Sequence, residues 1–549
     1  MTELHGVGVG RGIAAGPVLT MPEPLPAPGN DNHSGDAAAE FARASEALTA
    51  VAADLNARAE AAGGEAEEVL QASALMAQDP AIADDVRSRI DNGLNPERAV
   101  VDAFAGFKET LLAIGGYMAE RATDLDDVAQ RVVAHLRGVA APGVPKSDVP
   151  FILAARDLAP ADTATLELDK VLALVTQDGG PTSHTAILAR SKSITAIVGV
   201  KDLLSTVHDG DTVVVDAKLG SVVVGADDAA VQTANDEAAV RRSASAAPIT
   251  PGALADGTEI PLLANLGSPK EAADAVALGA EGVGLFRTEF LFLDSKEAPS
   301  VESQTKSYTD LLAAFPGKKV VVRLLDAGAD KPLSFLSDAH EENPALGLRG
   351  IRALRASEQI LRDQLEALAA AEAATEAELW VMAPMISDYE ETDYFVSIGR
   401  EFGLKVVGAM AEVPSCAVVA DQILEVADFV SIGTNDLTQY TLAADRMLGS
   451  VANFQDPWHP SVLRLIKIIG DAGKSANKPV GVCGEAASDP ALAVVLVGLG
   501  LTSLSMSPAA IADVRAELLT VTLEQAQDRA RRALTAKTAA DARAAALDA

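Results

Sequence analysis

The spacing of apolar and polar residues changes several times along the 549-residue chain, and each change marks a different kind of structure. Residues 1–20 are rich in glycine and apolar side chains and end in a strand-like run. From Asp36 to about Gly138, alanine and charged residues dominate, and apolar residues recur at helical spacing. Breaks at Gly63 and Pro80 divide this stretch, so the pattern predicts four to five antiparallel helices.

Short apolar runs that are typical of strands return after residue 143. These runs are Phe151–Leu153, Val171–Val175, Ile194–Val198, Val213–Val215 and Val222–Val224. We therefore predict an α/β domain formed by residues 1–20 and 143–226, with residues 21–142 inserted into it as an all-α domain. Residues 227–250 are rich in alanine and mixed in charge, which predicts a helix that runs into a flexible linker or hinge.

In residues 251–549, apolar strand candidates alternate with helical segments. The strand candidates are Ile260–Leu266, Gly282–Arg287, Val320–Asp326, Trp380–Met385, Val406–Glu412, Phe429–Thr434, Val480–Glu485 and Ser503–Ser507. Repeated β/α units of this number and length predict a (β/α)₈ barrel. The expected fold class is thus a multi-domain α/β protein with a C-terminal TIM barrel and an N-terminal α/β domain that carries an all-α insertion.

One uncharged stretch, from Pro490 to Ala512, is long enough to span a bilayer. It contains Gly498, Gly500 and Pro508 together with several hydroxyl residues, which fits a transmembrane helix poorly. We predict a buried helix followed by a buried strand and no insertion into a membrane.

Composition excludes some classes of binding partner and indicates the cellular compartment of the protein. The net charge of -34 argues against nucleic acid and anionic membranes as partners. Cys416 and Cys483 are the two cysteines, which gives no disulfide framework and favours a reducing compartment. The N-terminus shows no basic segment followed by an apolar one, so we expect a cytoplasmic protein.

Polar residues that could bind a ligand or take part in catalysis lie at or beside the ends of the predicted barrel strands, where barrel enzymes carry out their chemistry. They are Arg287, Arg323, Asp326, Glu412, Asn435, Asp436, Cys483 and Glu485. Two arginines can bind a phosphate in bidentate fashion, and two carboxylates offer hard oxygen ligands for Mg²⁺. A thiol can donate a proton. Taken singly, each arginine could also be an ion-pair partner, and the cysteine could be a packing residue of the core.

His184 ends the segment Gly179-Gly180-Pro181-Thr182-Ser183-His184, which follows a predicted strand and opens an apolar helical run. Thr182 or Ser183 can cap that helix. In the first helical turn, the exposed N–H groups would favour a phosphoryl group on the imidazole, which is a competent nucleophile near neutral pH. A helix-start histidine without chemistry is the alternative from the residues alone.

Several motifs together resemble Enzyme I, the phosphoenolpyruvate–protein phosphotransferase family of the bacterial sugar phosphotransferase system. They are the glycine-rich segment with His184, the run Gly282 to Phe290, the run Ser431 to Tyr440, the triplet Cys483-Gly484-Glu485, and Glu342-Asn343-Pro344 with Gly347-Leu348-Arg349. The resemblance covers nearly the whole chain. It implies that phosphoenolpyruvate phosphorylates His184, that a histidine of the carrier HPr then receives the phosphoryl group, and that pyruvate is released.

The resemblance also implies a role for each site residue. His184 is the phosphohistidine, supported by Thr163 and Thr182, and Cys483 is the proton donor. The expected substrate-binding residues are Arg287, Arg323, Asn435, Arg446, Lys331 and Arg349. Glu412 and Asp436 are the expected Mg²⁺ ligands. The inserted helices would dock HPr, and the barrel would form a homodimer.

The chain departs from the family pattern at Pro181, Thr195, Ala329 and Val413, none of which removes a catalytic group. The related dikinases and phosphoenolpyruvate synthases need a nucleotide-binding domain, for which this chain has no segment left. A barrel lyase would leave His184 and the helical insertion unused. A catalytically inactive docking protein is the alternative from another class, and a phosphorylation assay distinguishes it from the enzyme.

Overall fold

The computed structural model describes residues 1–547 apart from a set of short segments. These segments are residues 10–11, 23–24, 63, 115–123, 140, 142, 146, 159–161, 163–165, 168–169, 181–184, 187–188, 190–193, 247, 293–296, 328–332, 334, 337–340, 447, 449–450 and 452–453. For residues 60–62, 64–69, 113–114 and 240–246 it describes the backbone only. The chain forms two compact units, Met1–Arg241 and Arg242–Ala549.

The first unit contains an eight-stranded mixed sheet. Its strands are β1 (Thr2–His5), β2 (Val7–Gly8), β3 (Ile13–Thr20), β4 (Phe151–Ala155), β5 (Val171–Thr176), β6 (Thr195–Val198), β7 (Thr212–Asp216) and β8 (Ser221–Val224). They lie in the order β1-β8-β7-β3-β4-β5-β6-β2, and β3 to β6 are parallel. All side chains of β4 are buried, as expected for a strand that is covered on both faces.

A group of helices lies in the chain between β3 and β4. They are α1 (Ala37–Ala62), α2 (Gly64–Ala77), α3 (Pro80–Asp91), α4 (Pro96–Ile114) and α5 (Asp124–Arg137). The break predicted at Pro80 is a helix start, because Asp79 Oδ1 accepts the Ala81 N–H at 2.8 Å and proline occupies the first turn. These helices bury their own apolar core, which includes Leu55, Ile90 and Phe104.

Two further helices follow the sheet strands, α6 (Leu203–Thr206) and α7 (Asp228–Ala246). Helix α7 occupies most of residues 227–250, where the sequence predicts a helix that leads into a hinge. The hinge itself stays a prediction, as do the domain boundaries.

The second unit is a closed barrel of eight parallel strands. They are β9 (Leu262–Leu266), β10 (Val283–Arg287), β11 (Lys319–Arg323), β12 (Glu378–Ala383), β13 (Val407–Ala411), β14 (Val430–Ile432), β15 (Val480–Val482) and β16 (Ser503–Met506). Each strand pairs with the next in the chain, and β16 pairs with β9 to close the barrel. The predicted fold class is confirmed, with a TIM barrel after an α/β region that carries a helical insertion.

Helices connect the barrel strands and follow the last one. They are α8 (Ala272–Ala277), α9 (Val301–Ala313), α10 (Ile351–Ala356), α11 (Glu358–Ala373), α12 (Tyr389–Glu401), α13 (Pro414–Val418), α14 (Ala420–Val426), α15 (Thr434–Leu442), α16 (Pro460–Ala476), α17 (Pro490–Gly498), α18 (Ile511–Leu518), α19 (Leu523–Thr535) and α20 (Ala539–Leu547).

The uncharged stretch from Pro490 to Ala512 forms helix α17 and strand β16, as predicted. Every side chain from Ala491 to Val497 is buried, and so is every side chain of β16. In the part of the chain that the structure describes, no helix combines the length and apolar character needed to cross a bilayer.

Candidate active site

The predicted site residues of the second unit lie at the C-terminal ends of the barrel strands. Arg287 ends β10, Arg323 ends β11, and Glu412 directly follows β13. Asn435 and Asp436 stand in the first turn of α15, and Cys483 directly follows β15. Since parallel barrel strands end at the same mouth, these side chains converge on one region, and the contacts below show how they are held.

Arg323 is buried in an ionic cluster at this mouth. Its guanidinium pairs with Glu289 and contacts Asp326 Oδ2 at 3.3 Å. Burial opposes the charge, but Glu289, Asp326 and the neighbouring carboxylates outweigh it and raise the pKa of Arg323. Glu289 Oε2 and Arg323 Nε are buried and make no hydrogen bond within the described part of the chain. Arg323 is thus held from one side by protein carboxylates.

Arg287 differs from Arg323 because it is only half-buried. Among the residues that the structure describes, its guanidinium makes no hydrogen bond and no ion pair. Its positive charge nevertheless favours the thiolate form of Cys483, and this opposes the rise in the pKa of that thiol that burial causes. A guanidinium with unused donors at the end of a barrel strand is suited to bind an anionic ligand.

Arg349 connects two carboxylates of the site. Its Nε and Nη2 donate to the two oxygens of Asp326 at 3.2 Å and 3.1 Å, and its Nη1 donates to Asp436 Oδ1 at 3.0 Å. Arg446 Nη1 lies 3.4 Å from Asp436 Oδ2. Tyr440 also accepts a bond from Arg349 at 3.1 Å. Arginines and carboxylates therefore alternate across the mouth, so that most buried charges are neutralised.

Glu412 is the most deeply buried carboxylate of the site. Its Oε1 accepts the Met385 N–H at 2.7 Å, whereas Oε2 has no hydrogen-bond partner among the described residues. Burial, followed by the charges of Asp436 and Asp326, raises the pKa of Glu412 to about 8. Gly433 approaches this carboxylate so closely that a Cβ there would lie 2.8 Å from Oε2.

The Glu412 and Asp436 carboxylates fit a role as Mg²⁺ ligands. Mg²⁺ commonly uses one or two protein carboxylates and takes its other ligands from water and substrate oxygens. The buried Oε2 of Glu412, which lacks a protein partner in the described chain, is a donor of this type. No group of three or more possible metal-binding side chains occurs in the described residues, so protein ligands alone do not complete a metal site there.

Cys483 lies at the top of the barrel interior. Its Sγ lies 3.6 Å from the carbonyl oxygen of Ile432, which accepts the S–H, and Asn265 Nδ2 donates to the Cys483 carbonyl at 3.0 Å. Burial raises the pKa of the Cys483 thiol to about 11, against the lowering effects of Ser431, Arg323 and Arg287. The thiol therefore carries its proton at neutral pH. Cys416, in contrast, is a core residue in helix α13.

Asn435 holds the loop that carries the cysteine, because its Oδ1 accepts the Glu485 N–H at 3.0 Å.

The sequence analysis does not assign a role to Glu289, which the structure pairs with Arg323. The signal in the sequence is its position two residues after Arg287. In the structure Glu289 begins a short 3-10 turn, Glu289–Leu291, and pairs with Arg323.

Four predicted site residues, His184, Thr182, Thr163 and Lys331, lie outside the described residues, as do Pro181 and Ala329. The surroundings of His184 are partly described. Gly179 has a φ of 92°, and the buried Thr185 donates from Oγ1 to Asp157 Oδ1 at 3.2 Å. Arg131 of helix α5 pairs with the buried Asp162, which precedes Thr163, at 3.1 Å.

Comparison with known proteins identifies relatives over the whole chain. Three family models match: the PEP-utilising enzyme N-terminal domain at residues 5–121, its mobile domain at 148–220 and its PEP-binding domain at 241–523. The phosphoenolpyruvate-protein phosphotransferase of Streptomyces coelicolor is 50% identical over 548 residues, covering 99% of this chain and 98% of its own.

Two more distant proteins carry the same name. The Bacillus subtilis protein is 36% identical and covers 96% of both chains. The Haloferax volcanii protein is 40% identical over 88% of this chain and 87% of its own. The chain therefore belongs to the family of phosphoenolpyruvate-protein phosphotransferases, the Enzyme I proteins among the PEP-utilising enzymes.

Proposed function

We propose that this enzyme transfers the phosphoryl group of phosphoenolpyruvate to His184 and then to a histidine of HPr, and that it releases pyruvate as the first step of sugar uptake. The observation that carries the proposal is the barrel mouth. It combines a guanidinium without a protein partner among the described residues, Arg287, with buried carboxylates and a protonated thiol.

The phosphate of phosphoenolpyruvate would bind between Arg287 and Arg323. Arg287 has donors to spare, and Arg323 is pre-oriented by Glu289 and Asp326, so that binding requires little reorganisation of its side chain. Asn435, Arg446, Arg349 and Lys331 complete the proposed substrate site. Mg²⁺ bound by Glu412 and Asp436 would neutralise charge on the transferring phosphoryl group.

Proton donation by Cys483 completes the release of pyruvate. When the phosphoryl group leaves, the enolate of pyruvate needs a proton at its methylene carbon. Cys483 can supply it, because burial keeps the thiol protonated until about pH 11 while Arg323 and Arg287 face the charge that forms on sulfur. The phosphoryl group passes in line to His184 of the first unit, and a hinge within residues 227–250 would let the two sites meet and separate.

We assign one protein partner to each unit: HPr to the inserted helices and a second copy of the chain to the barrel. HPr would dock on the inserted helices within residues 21–142, where Leu75 and Leu112 expose large apolar side chains. The strongly acidic chain suits a carrier with a basic face. On the barrel unit, exposed residues such as Leu346 and Val418 are of the kind that a second copy buries, which supports a homodimer. We place the protein in the cytoplasm.

The proposed reaction is tested by following pyruvate and HPr together. Phosphoenolpyruvate, Mg²⁺ and purified HPr are mixed with catalytic amounts of the protein, and pyruvate and phosphorylated HPr are measured over time. We expect the two products to appear in equal amounts and neither to appear when Mg²⁺ is chelated. Pyruvate formation without phosphorylation of HPr would contradict the proposed acceptor.

A further inference from the structure

The interior of the barrel contains an ammonium group beneath Cys483. Lys319 is the first residue of β11, and strand alternation places it on the same inward face as Val321 and Arg323. Its Nζ lies 3.9 Å from the centroid of the Trp380 ring. That ring packs with Phe429 at 4.7 Å between centroids. Cys483 belongs to the same interior cluster as Trp380 and Phe429.

A small cavity joins the lysine to the surroundings of the thiol. It has a volume of about 10 Å³, which is close to the space that one water molecule requires. Lys319 lines it together with the hydroxyl residues Ser431, Ser503 and Ser505. The side chain of Ser431 also favours the thiolate of Cys483 and so opposes the rise in the pKa of that thiol. The ammonium and three hydroxyl groups therefore share one cavity in the barrel interior, and one of these hydroxyl groups, that of Ser431, influences the thiol.

We propose that the Lys319 ammonium stabilises the thiolate that Cys483 becomes when it donates its proton, which makes Lys319 a positioning residue for pyruvate formation. The inference rests on the proposed role of Cys483. In this step the S–H bond breaks, its proton forms a C–H bond at the methylene carbon of the enolate, and the negative charge remains on sulfur. Lys319 keeps its own proton and acts by its charge, which the apolar interior screens weakly.

The charged groups that face the two side chains are consistent with this role. Arg323 and Arg287 favour the thiolate from the mouth of the barrel, and Glu412 opposes it. Lys319 acts from the opposite end, where its own charge is favoured by Cys483 and Glu378. Burial lowers the pKa of Lys319 to about 8, so the ammonium persists at neutral pH and is lost in mild alkali.

The test compares Lys319→Met, Lys319→Arg and Lys318→Met, all in a Cys416→Ala background that leaves Cys483 as the single thiol. Lys318 is the matched control, because it precedes Lys319 in the chain and is exposed. Two rates are measured from neutral pH to well above pH 8: alkylation of Cys483 by iodoacetamide, which reports the thiolate, and formation of pyruvate from phosphoenolpyruvate. Thermal melting verifies folding, and Lys319→Gln is a second neutral variant.

We expect Lys319→Met and Lys319→Gln to slow both rates about tenfold at neutral pH, the effect of a pKa change of about one unit. Pyruvate formation should decline above about pH 8 in the parent, where Lys319 loses its proton, and less in Lys319→Arg, whose guanidinium stays charged. Unchanged alkylation in both neutral variants would overturn the inference. Slower alkylation with unchanged pyruvate formation would instead overturn the role of Cys483 as proton donor.

Discussion

Arg323 and Glu289 form a buried ion pair at the mouth of the barrel, in which the guanidinium at the end of β11 binds a carboxylate from the turn after β10. Arg287, at the end of β10 itself, has no such partner among the described residues. Two arginines with the same proposed ligand are therefore held in different ways, and their substitutions should have different consequences.

Arg287→Met should weaken catalysis with little effect on folding. Loss of one phosphate-binding guanidinium should lower kcat/KM for phosphoenolpyruvate about 100-fold, while the free energy of unfolding changes by less than about 0.5 kcal/mol. Steady-state kinetics and chemical denaturation measure the two effects.

Arg323→Met should impair both properties. It leaves Glu289, which is 1% exposed, without its cation inside the protein, and removing one partner of a buried pair costs about 3–5 kcal/mol. Equal destabilisation by the two substitutions would contradict this account of how the arginines are held.

Cys483→Ala should separate the two half-reactions. The variant lacks the proton donor for the enolate, so pyruvate should form from phosphoenolpyruvate at least about 100-fold more slowly. Transfer between phosphorylated HPr and His184 does not involve the thiol and should keep its normal rate. Cys416→Ala, which removes the other buried thiol, is the control for both assays. An equal loss in both half-reactions would exclude the proposed role of the thiol.

Glu412→Gln tests the raised pKa of the buried carboxyl and its role toward Mg²⁺. Because the pKa of Glu412 is raised from 4.5 to about 8, the folded protein retains a proton that the unfolded chain releases. Wild-type stability should therefore fall as the pH rises from about 4.5 to about 8, and this fall should be smaller in Glu412→Gln.

The same variant should lose its response to the metal. Mg²⁺ should raise the melting temperature of the wild type and not that of Glu412→Gln, since ligand binding stabilises the folded state alone. Glu485→Gln is the matched control, because Glu485 lies beside the same mouth with an exposed side chain and should behave as the wild type. A normal response to Mg²⁺ in Glu412→Gln would remove Glu412 from the metal site.

Lys319→Met should stabilise the barrel at neutral pH although it slows the reaction. The pKa of Lys319 is lowered from 10.5 to about 8, so the unfolded chain binds more protons than the folded protein between these values, and wild-type stability should rise with pH there. At neutral pH the charge of Lys319, which is only partly buried, costs at most about 3 kcal/mol. Both tryptophans, Trp380 and Trp458, lie in the second unit, so fluorescence reports its unfolding. A destabilised Lys319→Met would contradict the lowered pKa.

The barrel could be predicted because each strand is a short apolar run followed by polar residues. Strand ends were less predictable. The predicted strand Val320–Asp326 is β11, Lys319–Arg323, and the apolar residues after it, Leu324 and Leu325, are buried outside the strand pairing. Burial extends the apolar pattern beyond the strand. The Leu324 N–H still donates to the Met382 carbonyl of β12 at 3.0 Å, whereas the Leu325 N–H donates to the Gln364 side chain at 3.0 Å.

The site was predictable where chemistry and position coincide, as at Arg287, Glu412 and Cys483. The charged residues that orient these groups or change their pKa values could not be predicted. Glu289 and Lys319 are ordinary charged residues in the sequence, and their roles depend on which side chains the closed barrel brings beside them. Periodicity along one strand cannot show that the end of β11 meets the turn after β10, or that a lysine of β11 lies against a tryptophan of the neighbouring strand β12.

Radiolabelled phosphoenolpyruvate shows whether His184 receives the phosphoryl group of the substrate. Wild type, His184→Ala and His208→Ala are incubated with the labelled substrate and Mg²⁺, and the protein is then treated with acid or base. His208 is an exposed histidine of the same unit and serves as the control. We expect acid-labile, base-stable label on wild type and His208→Ala and none on His184→Ala. Label that persists in His184→Ala, or no label on the wild type, would contradict it.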